Sequence, residues 1–203
     1  MHWDRLFEDL EGQLASEWEA ERAALDAESE RLRIARLDLR GRLRMLCAAD
    51  AEATIELADG RRFPVRFQGY GADWIAAASR SASGVHATRS TFLIPHHAIG
   101  ALVLDHGVLL ASLEESVLDD HALRERMTFG FVLRDLARRR VPVHISTRSG
   151  GETHGTIDRA AADHLDLAVH ETGEARRAGA VQGFRIVPFA SILAVRTVGD
   201  QVP

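Results

Sequence analysis

The sequence predicts a mainly β protein of the α+β class, in which two tandem five-stranded small barrels, each preceded by a helix, follow a long N-terminal helix. Three observations predict this fold. Apolar residues at helical spacing occupy the first 49 positions, short alternating segments between turn residues follow, and their order returns in the second half. We therefore divide the 203 residues into an acidic helix at 1–42, barrels at 43–111 and 128–203, and an acidic connector at 112–127.

The N-terminal helix carries an apolar stripe. Large side chains recur there at steps of three and four residues, which places them on one helix face: Trp3, Phe7, Leu10, Leu14 and Trp18. Beyond Trp18 only Leu25 and Leu32 keep a seven-residue repeat, so the coiled-coil signal is weak. A contiguous apolar stripe needs a cover. We expect that cover to be the second barrel of the same chain or the same helix of a second chain, which makes the stripe a candidate for self-association.

The pattern changes to short strands after residue 49. Residues 54–57 and 63–67 alternate in polarity around turn residues at 58–61, which predicts a hairpin. A strand at 73–78, a loop at 79–90 and two apolar runs at 92–94 and 99–104 follow. These segments together predict five short strands behind a helix.

The second half repeats the first at a fixed offset. Over 43–78, eight of 36 residues are identical to the residue 90 positions later, without a gap. The offset then becomes 93, and three further residues match their counterparts: Pro95 and Pro188, Ile99 and Ile192, Ala101 and Ala194. A length change confined to one loop is what a shared fold tolerates. We infer that one unit of a helix and five strands was duplicated.

This unit resembles the Sm-like, or SH3-like, small β-barrel of bacterial Hfq and the eukaryotic Sm proteins. Residues 155–157 and 163–167 look like that family's glycine, apolar strand and Asp-containing turn, although two residues further apart. His97-Ala98-Ile99 is similar to a Lys-His-Ala-Ile segment of Hfq, with His96 in place of the lysine. The Arg-Gly pair of the Sm proteins is missing from 184–197. The resemblance covers 43–104 and 129–198 and implies ring assembly and RNA binding, and 133–140 also looks like a group of actinobacterial proteins.

Composition limits the partners and the compartment. Thirty acidic residues against 25 basic ones give a net charge of −5, which argues against a general nucleic-acid surface. Cys47 is the one cysteine, so no internal disulfide can form and a reducing cytoplasm is indicated. No stretch approaches 18 apolar residues and the N-terminus has no apolar signal core, so we expect a cytoplasmic protein that does not enter a membrane.

Two clusters are candidates for contacts with RNA. His96 and His97 point to opposite faces if they lie on a strand, which disfavours a shared metal. The alternatives for His97 are a loop-end hydrogen bond to a backbone carbonyl and an RNA contact. A run of arginines ends a predicted helix, where cations are favourable, and a second pair could extend it toward phosphates: Arg138, Arg139, Arg140, Arg176 and Arg177.

No residue pattern indicates catalysis. His144, His154 and His164 recur every ten residues, a spacing that could align three rings across a sheet but is not that of zinc ligands, and we treat it as coincidence. Asp73 and Asp163 occupy equivalent turns and are expected to accept backbone hydrogen bonds. No phosphate loop, nucleophile elbow or zinc-protease motif occurs. We therefore expect no enzyme, no cofactor and no metal, but a homo-oligomeric binding or scaffolding protein; the alternatives are an RNA-binding regulator of Hfq type and, more remotely, an enzyme with a site between the barrels.

Overall fold

The computed structural model describes residues 2–80, 89–114, 125–173 and 176–198. The chain divides into two units, Met1–Leu39 and Arg40–Pro203. The first unit consists of helix α1, which runs over His2–Arg36 and is followed by two non-helical residues. None of the described helices is long and apolar enough to cross a membrane.

The second unit contains a helix and five strands twice. The first set comprises α2 (Leu39–Ala48), β1 (Glu52–Leu57), β2 (Arg62–Tyr70), β3 (Trp74–Arg80), β4 (Arg89–Pro95), a 3-10 helix (His96–Ala98) and β5 (Ile99–Val103). Helix α3 (His106–Ala111) follows. The second set comprises α4 (Phe129–Arg138), β6 (Pro142–Thr147), β7 (Glu152–Ala160), β8 (His164–Val169), β9 (Gly183–Pro188), a 3-10 helix (Phe189–Ser191) and β10 (Ile192–Val198).

The two sets follow the same path. Helices α2 and α4 begin and end 90 residues apart, as do β1 and β6, and β2 and β7. The backbone has a positive φ after each helix, 49° at Asp50 and 56° at Arg140. It has another in each first hairpin, 83° at Gly60 and 88° at Gly150, where glycine carries no Cβ penalty. The duplication read from the sequence is therefore matched element by element.

The predicted pair of separate five-stranded barrels is wrong. All ten strands form one open antiparallel sheet, in the order β5-β1-β2-β3-β4-β10-β6-β7-β8-β9. A closed barrel in the first half would require pairing between β5 and β4, the strands at the two ends of its part of the sheet. Here β4 pairs with β10 of the second half, and β5 pairs only with β1 among the described residues. The mainly β content and the N-terminal helix agree with the sequence prediction.

Two apolar cores exchange residues between the halves. The core under α2 includes Leu43 and also Leu193 from β10. The core under α4 includes Leu133 and also Trp74 and Leu93 from the first half. Successive strand residues point to opposite faces, so β3, β4 and β10 supply both cores at once. Each half therefore completes the other, which explains why the sheet is continuous.

Candidate functional site

The sheet has two open edges, β5 and β9. Each pairs with one strand only among the described residues, β5 with β1 and β9 with β8. An open edge presents unpaired N–H and C=O groups, and proteins normally block such an edge. On β9, Phe184 and Ile186 are 69% and 73% exposed, and Val103 of β5 is also exposed. These edges therefore combine free backbone hydrogen-bonding groups with apolar side chains.

The β4–β10 junction shows how such edges meet inside the chain. Its antiparallel register places Leu93 opposite Val195 and Thr91 opposite Thr197. All four side chains are buried. In the duplicated numbering, β9 is the counterpart of β4, and β5 is the counterpart of β10. The two open edges of the chain are thus the counterparts of two strands that already pair.

Transfer of this register to the open edges brings apolar residues together. At the 93-residue offset, Ile186 corresponds to Leu93 and Leu102 corresponds to Val195. The same transfer places Phe184 opposite Leu104. Ile186 and Phe184 alternate on one face of β9, so both apolar pairs would form on the same face. The exposed residues of β9 would therefore lie opposite apolar residues of β5 and of the position that follows it.

A small hollow beside β9 lies where the first half is filled. It has a volume of about 190 Å³, and its lining includes Ile145, Val187 and Ser191. The counterparts of these residues, which are Ile55, Ile94 and Ala98, pack with Leu193 and Ala194 of β10. At the equivalent position in the first half, β10 fills the space beside β4. The lining of the hollow also includes polar residues: Thr147, Ser149, Thr153 and Arg185.

The equivalent aspartates Asp73 and Asp163 lie in turns with the same backbone bonds. Asp73 O accepts from His96 N at 2.8 Å, and Asp163 O accepts from Phe189 N at 2.7 Å. Their side chains differ. Asp73 Oδ1 accepts from Phe129 N at 2.6 Å, across the two halves, whereas Asp163 Oδ1 lies 2.7 Å from Nδ1 of its neighbour His164. This bond from His164 lowers the pKa of the Asp163 carboxyl. The Asp73 side chain therefore accepts a backbone N–H bond, as the sequence predicts, whereas the described bond of the Asp163 carboxylate is to a histidine ring.

Three histidines form a row across β6, β7 and the end of β8. The ring centroids of His144 and His154 are 4.4 Å apart, and those of His154 and His170 are 4.9 Å apart. Beside them, Arg196 pairs with Glu152 at 3.0 Å. Both ring nitrogens of His154 are buried and have no hydrogen-bond partner among the described residues. Burial, with the charges of His144 and His170, lowers the pKa of His154 to about 4.

The ten-residue spacing, interpreted as coincidence, does bring His144 and His154 together, but it does not give the third member of the row. His164 is not its third member, because it contacts Asp163 in the β7–β8 turn. His170 takes that place, with Nε2 2.9 Å from Thr156 Oγ1. The residues that the structure describes include no group of three histidine, cysteine or acidic side chains placed to hold a metal ion. The three rings contact one another at tilted and edge-on angles of 48° and 82°.

Five of the six candidates for RNA contacts have side-chain bonds to protein groups. His97 Nε2 lies 3.1 Å from the carbonyl oxygen of Ile192, which is the loop-end bond considered from the sequence; its neighbour His96 is partly buried. Arg138 and Arg139 contact Asp135, at 2.5 and 2.9 Å. Arg140 and Arg176 both contact Asp158, at 2.8 and 2.5 Å, and Arg177 is exposed. The two carboxylates offset part of the positive charge of the five arginines.

The described part of the N-terminal stripe is exposed. Trp18 is 67% exposed, and Leu14, Leu25 and Leu32 are exposed as well. The helix backbone includes Trp3, Phe7 and Leu10, whose side chains lie outside the described residues. No cover for the stripe is seen over its described side chains.

Comparison with known proteins returned no match: no family model, no curated protein and no solved structure is similar to the chain. The fold and the site therefore define a structural class, that of an internally duplicated open antiparallel sheet with two exposed edge strands. The Sm-like resemblance rests on the sequence motifs.

Sequence reasoning missed the edge residues Phe184 and Ile186. Their alternation with polar Arg185 was a usable signal, since it predicts a strand with one apolar face. Whether such a face is covered depends on the neighbouring strand, which sequence periodicity does not identify. The strand order shows β9 to be an edge, because among the described residues it pairs with β8 alone.

Proposed function

We propose that this protein is a non-catalytic binding or scaffolding protein that self-associates head to tail, with β9 of one copy beside β5 of the next. The observation that carries the proposal is the internal β4–β10 junction, whose two strands are the counterparts of the two open edges. A contact between different surfaces repeats from copy to copy. Such a contact produces either a closed ring or a growing chain.

The apolar residues of the edges support this proposal. Phe184 and Ile186 would be covered by Leu104 and Leu102 of the next copy, as Leu93 is covered by Val195 within the chain. Covering an apolar side chain stabilises a contact by about 25 cal/mol for each Å² removed from water. Pairing of the edges also satisfies backbone groups that the edge otherwise leaves to water.

Light scattering over a range of protein concentrations tests the proposal. The wild-type mass should rise above that of one chain, and Ile186→Arg should return it to one chain because a buried, unpaired charge opposes the contact. The matched control is Phe131→Arg, which charges an exposed apolar residue on α4. A wild-type protein that stays a single chain at all concentrations would refute the proposal.

A second route of self-association runs through helix α1, favoured by the exposure of Leu14 and Trp18. Trp18→Glu separates the two routes. If edge pairing drives assembly, the Trp18→Glu variant should have the same assembly mass as the wild type. If this variant dissociates and Ile186→Arg does not, assembly occurs through the helix and the edge proposal is wrong.

RNA binding of Hfq type has less support from these residues. Arg138, Arg139, Arg140 and Arg176 are bonded to carboxylates, which reduces their attraction for phosphates. An oligonucleotide of uridines or adenines should therefore bind weakly even at low salt. Tight binding with a steep salt dependence would instead favour the RNA-binding function. A cytoplasmic location is part of the proposal, and the one thiol of Cys47 is compatible with a reducing compartment.

A further inference from the structure

The junction between the two halves includes a polar contact made by the turn between β2 and β3, and the equivalent turn of the second half is exposed. In the turn between β2 and β3, Asp73 Oδ1 accepts from Phe129 N at 2.6 Å, at the first residue of α4. Ala72 N and Trp74 Nε1 donate to the carbonyl oxygen of Met127, at 3.0 and 2.8 Å. This turn of the first half therefore holds the N-terminus of the helix that opens the second half.

The turn between β7 and β8 has the same backbone but a different environment. Ala161 N donates to His164 O at 2.8 Å, as Gly71 N donates to Trp74 O at 2.9 Å. The side chain of Asp163 is 88% exposed. A carboxylate that accepts one bond from His164 retains further acceptor positions. The second turn is therefore preformed for a helix N-terminus.

Helix α2 has the matching features on the other side of the duplication. It has the length of α4, and each of the two helices follows two non-helical residues, 37–38 and 127–128. Its first residue, Leu39, is 45% exposed, whereas its counterpart Phe129 is 3% exposed in the internal junction. Phe129 belongs to the core that also includes Trp74 and Leu93 of the first half, and its ring centroid lies 6.0 Å from that of Phe189 in its own half. Leu39, at the equivalent position, is available for contact with a second copy of the chain.

From these correspondences we propose that the Asp163 turn of one copy binds the first turn of helix α2 of a second copy, with the carboxylate accepting from Leu39 N. The inference rests on the proposed head-to-tail association and names the polar part of its interface. Both contacts can form in one interface. In the internal junction, β4 and the Asp73 turn of the first half contact β10 and the start of α4 in the second half. A carboxylate at a helix N-terminus also complements the partial positive charge there.

Sedimentation velocity of the full chain tests this contact with three variants. Asp163→Ala should weaken association by about fivefold, the effect of losing a helix cap of about 1 kcal/mol. Asp163→Asn should restore most of the affinity, because an amide oxygen also caps helices. The charge-matched control is Glu171→Ala, an exposed acidic residue beyond β8, which should associate like the wild type.

Hydrogen exchange gives a readout that a general charge effect would not change. Backbone amides at 39–41 should exchange more slowly in the assembled wild type than in dissociated Ile186→Arg, and Asp163→Ala should lose that protection at matched occupancy. If Ile186→Arg dissociates the protein but Asp163→Ala behaves like Glu171→Ala in both measurements, the capping contact is wrong and the edge pairing stands. If the wild type does not associate, or if Ile186→Arg leaves association intact, the edge proposal is wrong, and the capping contact is wrong with it.

Discussion

Acidification should lower the free energy of unfolding of this protein through the histidine row, and His154→Phe should make that decrease smaller. Burial, with neighbouring His144 and His170, lowers the pKa of His154 to about 4, whereas an unfolded chain titrates near pH 6.5. Between these values the unfolded state binds a proton that the folded state does not. The free energy of unfolding is therefore level above about pH 6.5 and falls as the pH drops toward 4.

The size of the effect follows from the two pKa values. At pH 5 they give a loss of about 2 kcal/mol relative to neutral pH. Although both ring nitrogens are buried, the His154 side chain as a whole is only half-buried. Solvent screening lowers the expected loss to about 1 kcal/mol. The pKa of His144 is lowered as well, mainly by burial, which adds to the loss in the same direction.

Urea unfolding at pH 7.5 and pH 5.0, followed by tryptophan fluorescence, measures the loss. His154→Phe should show a loss smaller than that of the wild type by about 1 kcal/mol, because the phenyl ring cannot take a proton. The control His106→Phe changes an exposed histidine of α3 and should match the wild type. An equal loss in His154→Phe and the wild type would refute the assignment of this pH dependence to the row.

Three further outcomes follow from packing, capping and burial. Gly155→Ala should lower the free energy of unfolding by about 1 to 3 kcal/mol, because the added Cβ would press on a backbone carbonyl of β8. The control Gly179→Ala adds a Cβ in open space and should leave the free energy of unfolding unchanged. Equal effects of the two substitutions would contradict this prediction. Asp73→Ala should cost about 1 kcal/mol in urea unfolding, since Phe129 N loses its acceptor, and a neutral result would remove this cap from the account. Burial raises the pKa of Cys47 to about 12, so a thiol reagent at pH 8 should label it only as the chain unfolds, and rapid labelling of the folded protein would be inconsistent.

The elements were predictable from the sequence because their signals are local. Alternation around 58–61 and the glycine at 60 identify the first hairpin, and the 90-residue offset transfers it to the second half. The pairing of β4 with β10 was not predictable in this way. Leu93 and Val195 are neighbours across the sheet, yet they lie 102 positions apart in the chain. Nothing in the local sequence around either residue indicates which strand it pairs with.

The site was predicted less well than the elements, for a related reason. Regular spacing suggested His164 as the companion of His144 and His154. The observed register pairs Gly155 with Val169, which brings the next residue, His170, beside His154 instead. Register depends on the bulge in β7, between Ile157 and Arg159, and periodicity alone does not locate such a bulge.

Cross-linking between edge residues tests the central claim of head-to-tail association most directly. In a Cys47→Ala background, Ile186→Cys and Leu102→Cys chains would be treated with a short bis-maleimide, singly and as a mixture. Residues opposite each other in an antiparallel pair have Cβ atoms about 5 Å apart. The account predicts dimers on a denaturing gel from the mixture and little from either variant alone. Equal cross-linking of Ile186→Cys with itself, or none in the mixture at concentrations where the wild type assembles, would contradict it.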